Sequence, residues 1–110
     1  MINSHLKLDC FIDEINDLIP IEHHVFNAPQ PLPYAVWNED ETQKICADGK
    51  IIFRCDVLKL EVYTRKSDKT TIPKISALFD KWEVIPKIEP YEYIPSEKCC
   101  MTTYKFTIQT

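Results

Sequence analysis

The side chains best suited to chemistry in this 110-residue chain are the adjacent pair His23-His24 and five cysteines, Cys10, Cys46, Cys55, Cys99 and Cys100. Imidazole nitrogen and thiolate sulfur are the usual ligands of zinc, and a thiol beside an imidazole is the usual start of a cysteine nucleophile. Spacing argues against both. Structural zinc sites pair their ligands two to four residues apart, as in C-x-x-C or H-x-x-x-H, and neither pattern occurs. Neighbouring residues in a strand point to opposite faces, so neither His23-His24 nor Cys99-Cys100 is expected to chelate. Nothing near the cysteines would lower a thiol pKa, and a buried Cys commonly serves as a small hydrophobe. Glu61, Glu83, Glu89, Glu92 and Glu97 offer carboxylates, yet none lies in an acid/base motif. Gly49 is the single glycine, which removes Gly-rich phosphate loops. The residues therefore predict no catalytic, cofactor-binding or metal site, and a chain that is not an enzyme.

Charge narrows the partners. The formal net charge is −4 and the pI near 5.3, with 13 scattered basic residues. A polyanionic backbone needs clustered Lys and Arg, so specific nucleic-acid binding is not expected, and Trp37 and Trp82 read as core rather than as base-stacking platforms. No apolar run approaches the ~18 residues needed to cross a bilayer. MINSHLKLDC lacks the basic-then-apolar order of a signal peptide, so the cysteines are expected reduced, in a cytosolic compartment.

The elements that position these residues follow from periodicity. The organising stretch is Ile51 to Thr64, IIFRCDVLKLEVYT, a β-rich run without Gly or Pro. Its apolar face switches near Val57-Leu58, which predicts a long strand in mid-sheet with a bulge or a bend there. Before it, Leu8, Phe11, Ile12, Ile15, Leu18 and Ile19 form one helical stripe over 4–19, capped by Asn3 or Ser4 and stopped by Pro20. Asp9, Asp13, Glu14 and Asp17 fall on the other side, facing solvent or a partner. His23 to Phe26 reads as a short strand, Pro29, Pro31 and Pro33 as a rigid linker, and Tyr34 to Trp37 as the next strand. The polar stretch from Asn38 to Lys50 reads as a loop, acidic at Glu39, Asp40 and Glu41, with a turn at Asp48-Gly49.

After the central strand comes a charged turn, and then a helix marked by Ile72, Ile75, Leu78, Phe79 and Trp82. Thr71 is its expected N-cap, and Pro73 sits in its first turn. A short strand is expected to begin within Trp82 to Ile85, and Pro86, Pro90 and Pro95 break the segment beyond it into edge or irregular pieces. Lys98 to Thr110 closes the chain as a long, half-buried strand, the natural antiparallel partner of 51–64. The order is α-β-β-β-α-(β)-β in one domain, residues 1–110. The expected fold class is α+β: an antiparallel or mixed β-sheet with two amphipathic helices packed on one face. Surplus strand edge and a long loop suggest a self-associating or docking protein, for example a small cytosolic adaptor or inhibitor acting through a sheet edge.

Several of these segments, taken together, resemble a known family. VFNAPQPLPYAVW, the Ala47-Asp48-Gly49-Lys50 turn, the strand end Glu61-Val62-Tyr63-Thr64 and EYIPSEK followed by TYKFTI are similar to the tail-terminator, or tail-completion, proteins of long-tailed phages and prophages of Gram-positive bacteria. The likeness spans nearly the whole chain through short motifs, and the cysteines lie outside it. The resemblance implies a non-enzymatic virion protein of the tail and neck, assembled in the host bacterial cytoplasm. Such a protein forms a ring, typically a homohexamer, that caps the tail tube, ends its polymerisation and meets the head-completion proteins, while genome DNA passes through. It also implies that Pro29, Pro31, Pro33, Glu39, Asp40, Glu41, Asp48 and Lys50 touch neighbouring subunits or tail-tube protein. Charge reversal at Asp40 and Glu41 is then expected to weaken ring assembly.

Overall fold

Two apolar stripes and one long strand determine the architecture. The computed structural model describes the backbone of residues 5–28, 30–47 and 50–109, and the side chains of 8–28, 30–40 and 56–107. The elements run α1 (His5–Leu18), β1 (Ile21–His23), β2 (Tyr34–Ala47), β3 (Lys50–Thr64), α2 (Thr71–Lys81), β4 (Lys87–Ile94) and β5 (Cys99–Gln109). They form a five-stranded mixed sheet in the order β1-β2-β3-β5-β4, so the fold is α+β with β3 at its centre. The β1–β2 pair is parallel, and the β2–β3, β3–β5 and β4–β5 pairs are antiparallel. The expected caps Asn3 and Ser4, and the Asp48-Gly49 turn, lie outside the described residues.

The core lies between the helices and one sheet face. Leu8, Phe11, Ile15 and Ile19 of α1 and its exit meet Ile75 and Phe79 of α2 over Ala35, Leu58, Leu60, Val62, Tyr104 and Phe106. Phe11 and Phe79 meet edge to face at 5.1 Å, and Phe79 stacks on Tyr104 at 5.0 Å. Burying each such aromatic side chain contributes roughly 1.5–3 kcal/mol. The opposite face carries Tyr34, Glu61, Tyr63 and Met101, half-buried. Tyr34 and Tyr63 stack there at 4.9 Å, with Phe26 edge-on to Tyr34 at 5.5 Å.

The second helix is held at both ends by local chemistry. Thr71 is its first residue, not its cap. Thr70 occupies the cap position without a side-chain capping bond, and the capping carboxylate comes from Asp68. Asp68 Oδ1 accepts from the backbone N–H of Thr70 at 2.9 Å and of Thr71 at 3.1 Å, while Oδ2 accepts from Thr71 Oγ1 at 2.6 Å. At the other end Glu83 takes φ 55°, Glu83 N donates to Asp80 O at 3.1 Å and Val84 N to Phe79 O at 2.9 Å. These two bonds define a Schellman motif, here without its usual glycine. The next strand begins at Lys87, later than the sequence predicts. It is an edge strand with an irregularity between Glu89 and Glu92, where Pro90 cannot donate to the ladder.

The main departure from the sequence expectation is the stretch 38–50. It is not a loop. β2 continues to Ala47 and pairs with β3 as far as Lys50, so the two strands form one long hairpin. Polar composition suggests a loop, yet Asn38 to Lys44 form the outer strand beside β3 once the pairing with β1 has ended at Trp37, where side chains need not be apolar. The β3–β5 pairing ends at Cys55–Gln109, and beyond it residues 44–47 and 50–54 pair only with each other among the described residues. This arm accounts for the elongation of the molecule, 51 × 27 × 27 Å. Two irregularities interrupt its ladder. Asp40 is an extra residue on β2, between the Glu39–Leu58 and Glu41–Val57 pairs, and Ile52 is an extra residue on β3, between Ile45–Phe53 and Cys46–Ile51. The bulge predicted near Val57-Leu58 is therefore present, but its extra residue belongs to the neighbouring strand.

Candidate functional site

The sheet ends in two unlike edges, and each gathers exposed functional groups. The first edge is β1 with the adjoining part of β2. The expected strand from His23 to Phe26 instead runs from Ile21 to His23 and stops there. His24 adopts φ 68°, and Val25 N donates to His23 O at 2.9 Å, closing a γ-turn of the strained, positive-φ kind. The premise that adjacent strand residues must diverge consequently fails at this pair. The turn brings both rings to the same side, stacked at 3.7 Å, and the His23 ring stacks in turn on Trp37 at 4.0 Å. Parallel register places His23 against Trp37, and Glu39 comes two residues later on the same face of β2.

Glu39 closes the cluster. His23 Nε2 lies 2.7 Å from Glu39 Oε2, and His24 Nε2 lies 3.8 Å from the same oxygen. His24 Nδ1 lies 2.7 Å from Asn38 Oδ1. Burial opposes ionisation of Glu39, but the hydrogen bond from His23, a backbone bond and the nearby imidazoles outweigh it and hold the carboxyl below its ordinary range. The sequence offers His23 and His24 as ligands but points them apart, and it puts Glu39 in a loop. The signal available is their chemistry; the signal absent is the turn at His24, which no glycine announces.

The second edge is β4. Ile88, Tyr91 and Tyr93 are exposed along it, and Ile85 just before it is 95 % exposed. Beside it a groove of about 500 Å³ runs between β4 and the loop entering α2, with Ile72, Ile88, Pro90, Tyr91 and Cys100 among its lining residues. An uncovered edge with apolar side chains is a surface that another chain can extend or cover.

The other residues singled out by sequence scatter. Pro31 is exposed, and Pro33, preceded by a cis peptide bond after Leu32, is half-buried beside Leu18 and Lys74. Asp40 Oδ2 lies 3.7 Å from Lys105 Nζ, which also meets Glu89 Oε1 at 3.3 Å, so Asp40 has a partner within its own sheet. Pro29 and Asp48 lie outside the described residues, as do the side chains of Glu41 and Lys50. Cys99 and Cys100 are both buried and free of a disulfide. Burial and the Glu97 carboxylate push the Cys99 thiol up, away from reactive thiolate. Among the described residues no helix is long and apolar enough to cross a membrane. Comparison with models of known protein families finds no match, and comparison with curated proteins finds no similar sequence.

Proposed function

We propose that this chain is a non-enzymatic assembly protein that forms a ring on the end of a phage or prophage tail tube, stops its polymerisation and joins the tail to the head-completion proteins. The reading starts from the sequence resemblance. The observation that carries it is the pair of unlike edges: an open, apolar β4 on one side of the sheet, and β1 with the two-stranded arm on the other. A chain with two different association surfaces contacts its neighbours head to tail, and head-to-tail contacts close into rings when the rotation per subunit allows. A two-stranded ribbon is at best marginally stable alone, which favours an arm that lies against a neighbouring subunit or the tube. The acidic balance suits a conduit through which DNA slides without adhering. In this reading the contacts belong to a hairpin rather than a loop, together with the Pro segment 29–33, and the protein resides in the virion after assembly in the host cytoplasm.

The test is solution mass by light scattering over a concentration series, with negative-stain images, with and without tail-tube protein. Closed rings of about six subunits are expected, disrupted by Ile88→Lys together with Tyr91→Lys while the monomer stays folded. A chain that remains monomeric even on tube protein overturns the reading and leaves a small adaptor that binds through its open edge. Charge reversal at Asp40 also breaks its pair with Lys105, so a loss of rings in that variant counts only where the monomer stays folded.

A further inference from the structure

We infer that His23, His24 and Glu39 form a binding site for one divalent transition-metal ion of the zinc class, independent of the ring reading. One ring nitrogen of each histidine and a carboxylate oxygen of Glu39 lie within 4.8 Å of one another, and both Nε2 atoms face Glu39 Oε2, at 2.7 and 3.8 Å. Two imidazole nitrogens and one carboxylate oxygen suit zinc, cobalt or nickel, whereas magnesium and calcium favour oxygen ligands alone. Three protein ligands leave a fourth position for water or for a group from a partner.

Two features distinguish this cluster from a chance surface grouping. The first is the Asn38 contact. With Asn38 Oδ1 as acceptor, the neutral His24 ring carries its proton on Nδ1, and in that tautomer the Nε2 lone pair faces a carboxylate 3.8 Å away. A lone pair facing an anion is stabilised by a cation between them. A ligating histidine ordinarily donates its other ring N–H to an oxygen in this way, which fixes tautomer and orientation. The second is the backbone. Positive φ at a non-glycine residue and a γ-turn both cost free energy, and here that strain brings two histidines to one side of the chain. Trp37 supports the stack from below, so His23 is held, while His24, the more exposed ring, swings out of the stack about its Nδ1–Asn38 contact. That swing aims both in-plane lone pairs at one point, and the metal replaces the proton that His23 Nε2 shares with Glu39.

The experiment uses the whole chain with Cys10→Ser, Cys46→Ser and Cys55→Ser, which removes the one exposed thiol among the described residues and the two thiols of the hairpin, titrated with Zn²⁺ by calorimetry and with Co²⁺ by visible absorption. One Zn²⁺ per chain is expected, with a Co²⁺ spectrum free of thiolate charge-transfer bands. His23→Ala and His24→Ala each lower affinity more than tenfold, Asn38→Ala lowers it about 10–100-fold through loss of the orienting bond, and His5→Ala leaves it unchanged. Circular dichroism verifies that each variant is folded, which the exposure of these side chains favours. Binding that is no tighter than in His23→Ala/His24→Ala, or cobalt bands from thiolate, overturns the inference.

Discussion

Glu14 of α1 accepts a hydrogen bond from Trp82 Nε1, at the end of α2, at 2.6 Å. Its other carboxylate oxygen lies 2.6 Å from Lys81 Nζ. One carboxylate thereby ties the two helices together across 68 residues of sequence. The bonds from Lys81 and then Trp82 hold the Glu14 carboxyl below its ordinary range. Glu14→Ala is expected to lower the melting temperature and shift Trp82 fluorescence. Glu14→Gln, which can still accept from the indole, should do less of both. Because the folded pKa is lowered, the contribution is present above the ordinary Glu range and is lost as pH falls through the folded value. Equal melting curves for wild type and Glu14→Ala at neutral pH would sink the idea.

Asp68 should behave as the true cap of α2. Asp68→Ala is expected to cost about 1 kcal/mol in denaturant unfolding at neutral pH, the usual loss for a capping side chain. Hydrogen bonds from Thr71, first among several, depress the carboxyl below its ordinary 3.8. Its stabilisation is thus complete above that value and fades as pH drops through the lower folded one. The wild-type advantage should be full at pH 7 and largely gone in strong acid.

Glu83 holds a left-handed conformation that favours glycine, at the C-terminal cap of α2. Glu83→Gly is expected to raise stability by about 0.5–1 kcal/mol, since it relieves the Cβ strain while keeping both capping bonds. An unchanged or lower denaturation midpoint would mean that contacts of the Glu83 side chain outweigh the strain.

Phe79 touches Phe11, Tyr104 and Phe106, with ring centroids 5.0–5.3 Å away. Phe79→Ala is expected to cost about 3–5 kcal/mol. Total stabilities are roughly 5–15 kcal/mol, so this variant approaches unfolding at room temperature. Phe79→Leu should stay folded, with a smaller loss measurable by urea titration.

Much of the body of the fold is legible in the sequence. The stripe from Leu8 to Ile19, apart from the exposed Leu18, the stripe from Ile72 to Trp82 and the alternation of Leu58, Leu60 and Val62 each bury one face, and burial imposes period. The strand through Asn38 to Lys44 is not legible, because polar residues on an outer strand carry no period that separates them from a loop. The register break shows at Val57-Leu58, but on the wrong strand, since a bulge is a property of two strands and a sequence presents them one at a time. The His23, His24 and Glu39 cluster depends on one backbone torsion, and Glu14 on a partner far along the chain. Neither leaves a local pattern.

The two irregularities of the hairpin have a combined effect. One surplus residue sits on each strand, at Asp40 and at Ile52, so the ladder leaves frame at the first and returns to it at the second. The block between them, 41–45 against 53–57, is offset by one step from both the base of the hairpin and its tip. A single-residue insertion or deletion at one site alone leaves the tip out of frame with the base, while paired changes at both restore it. The arm thus carries a two-part parity check, and sequences that build the same arm should gain or lose these residues together.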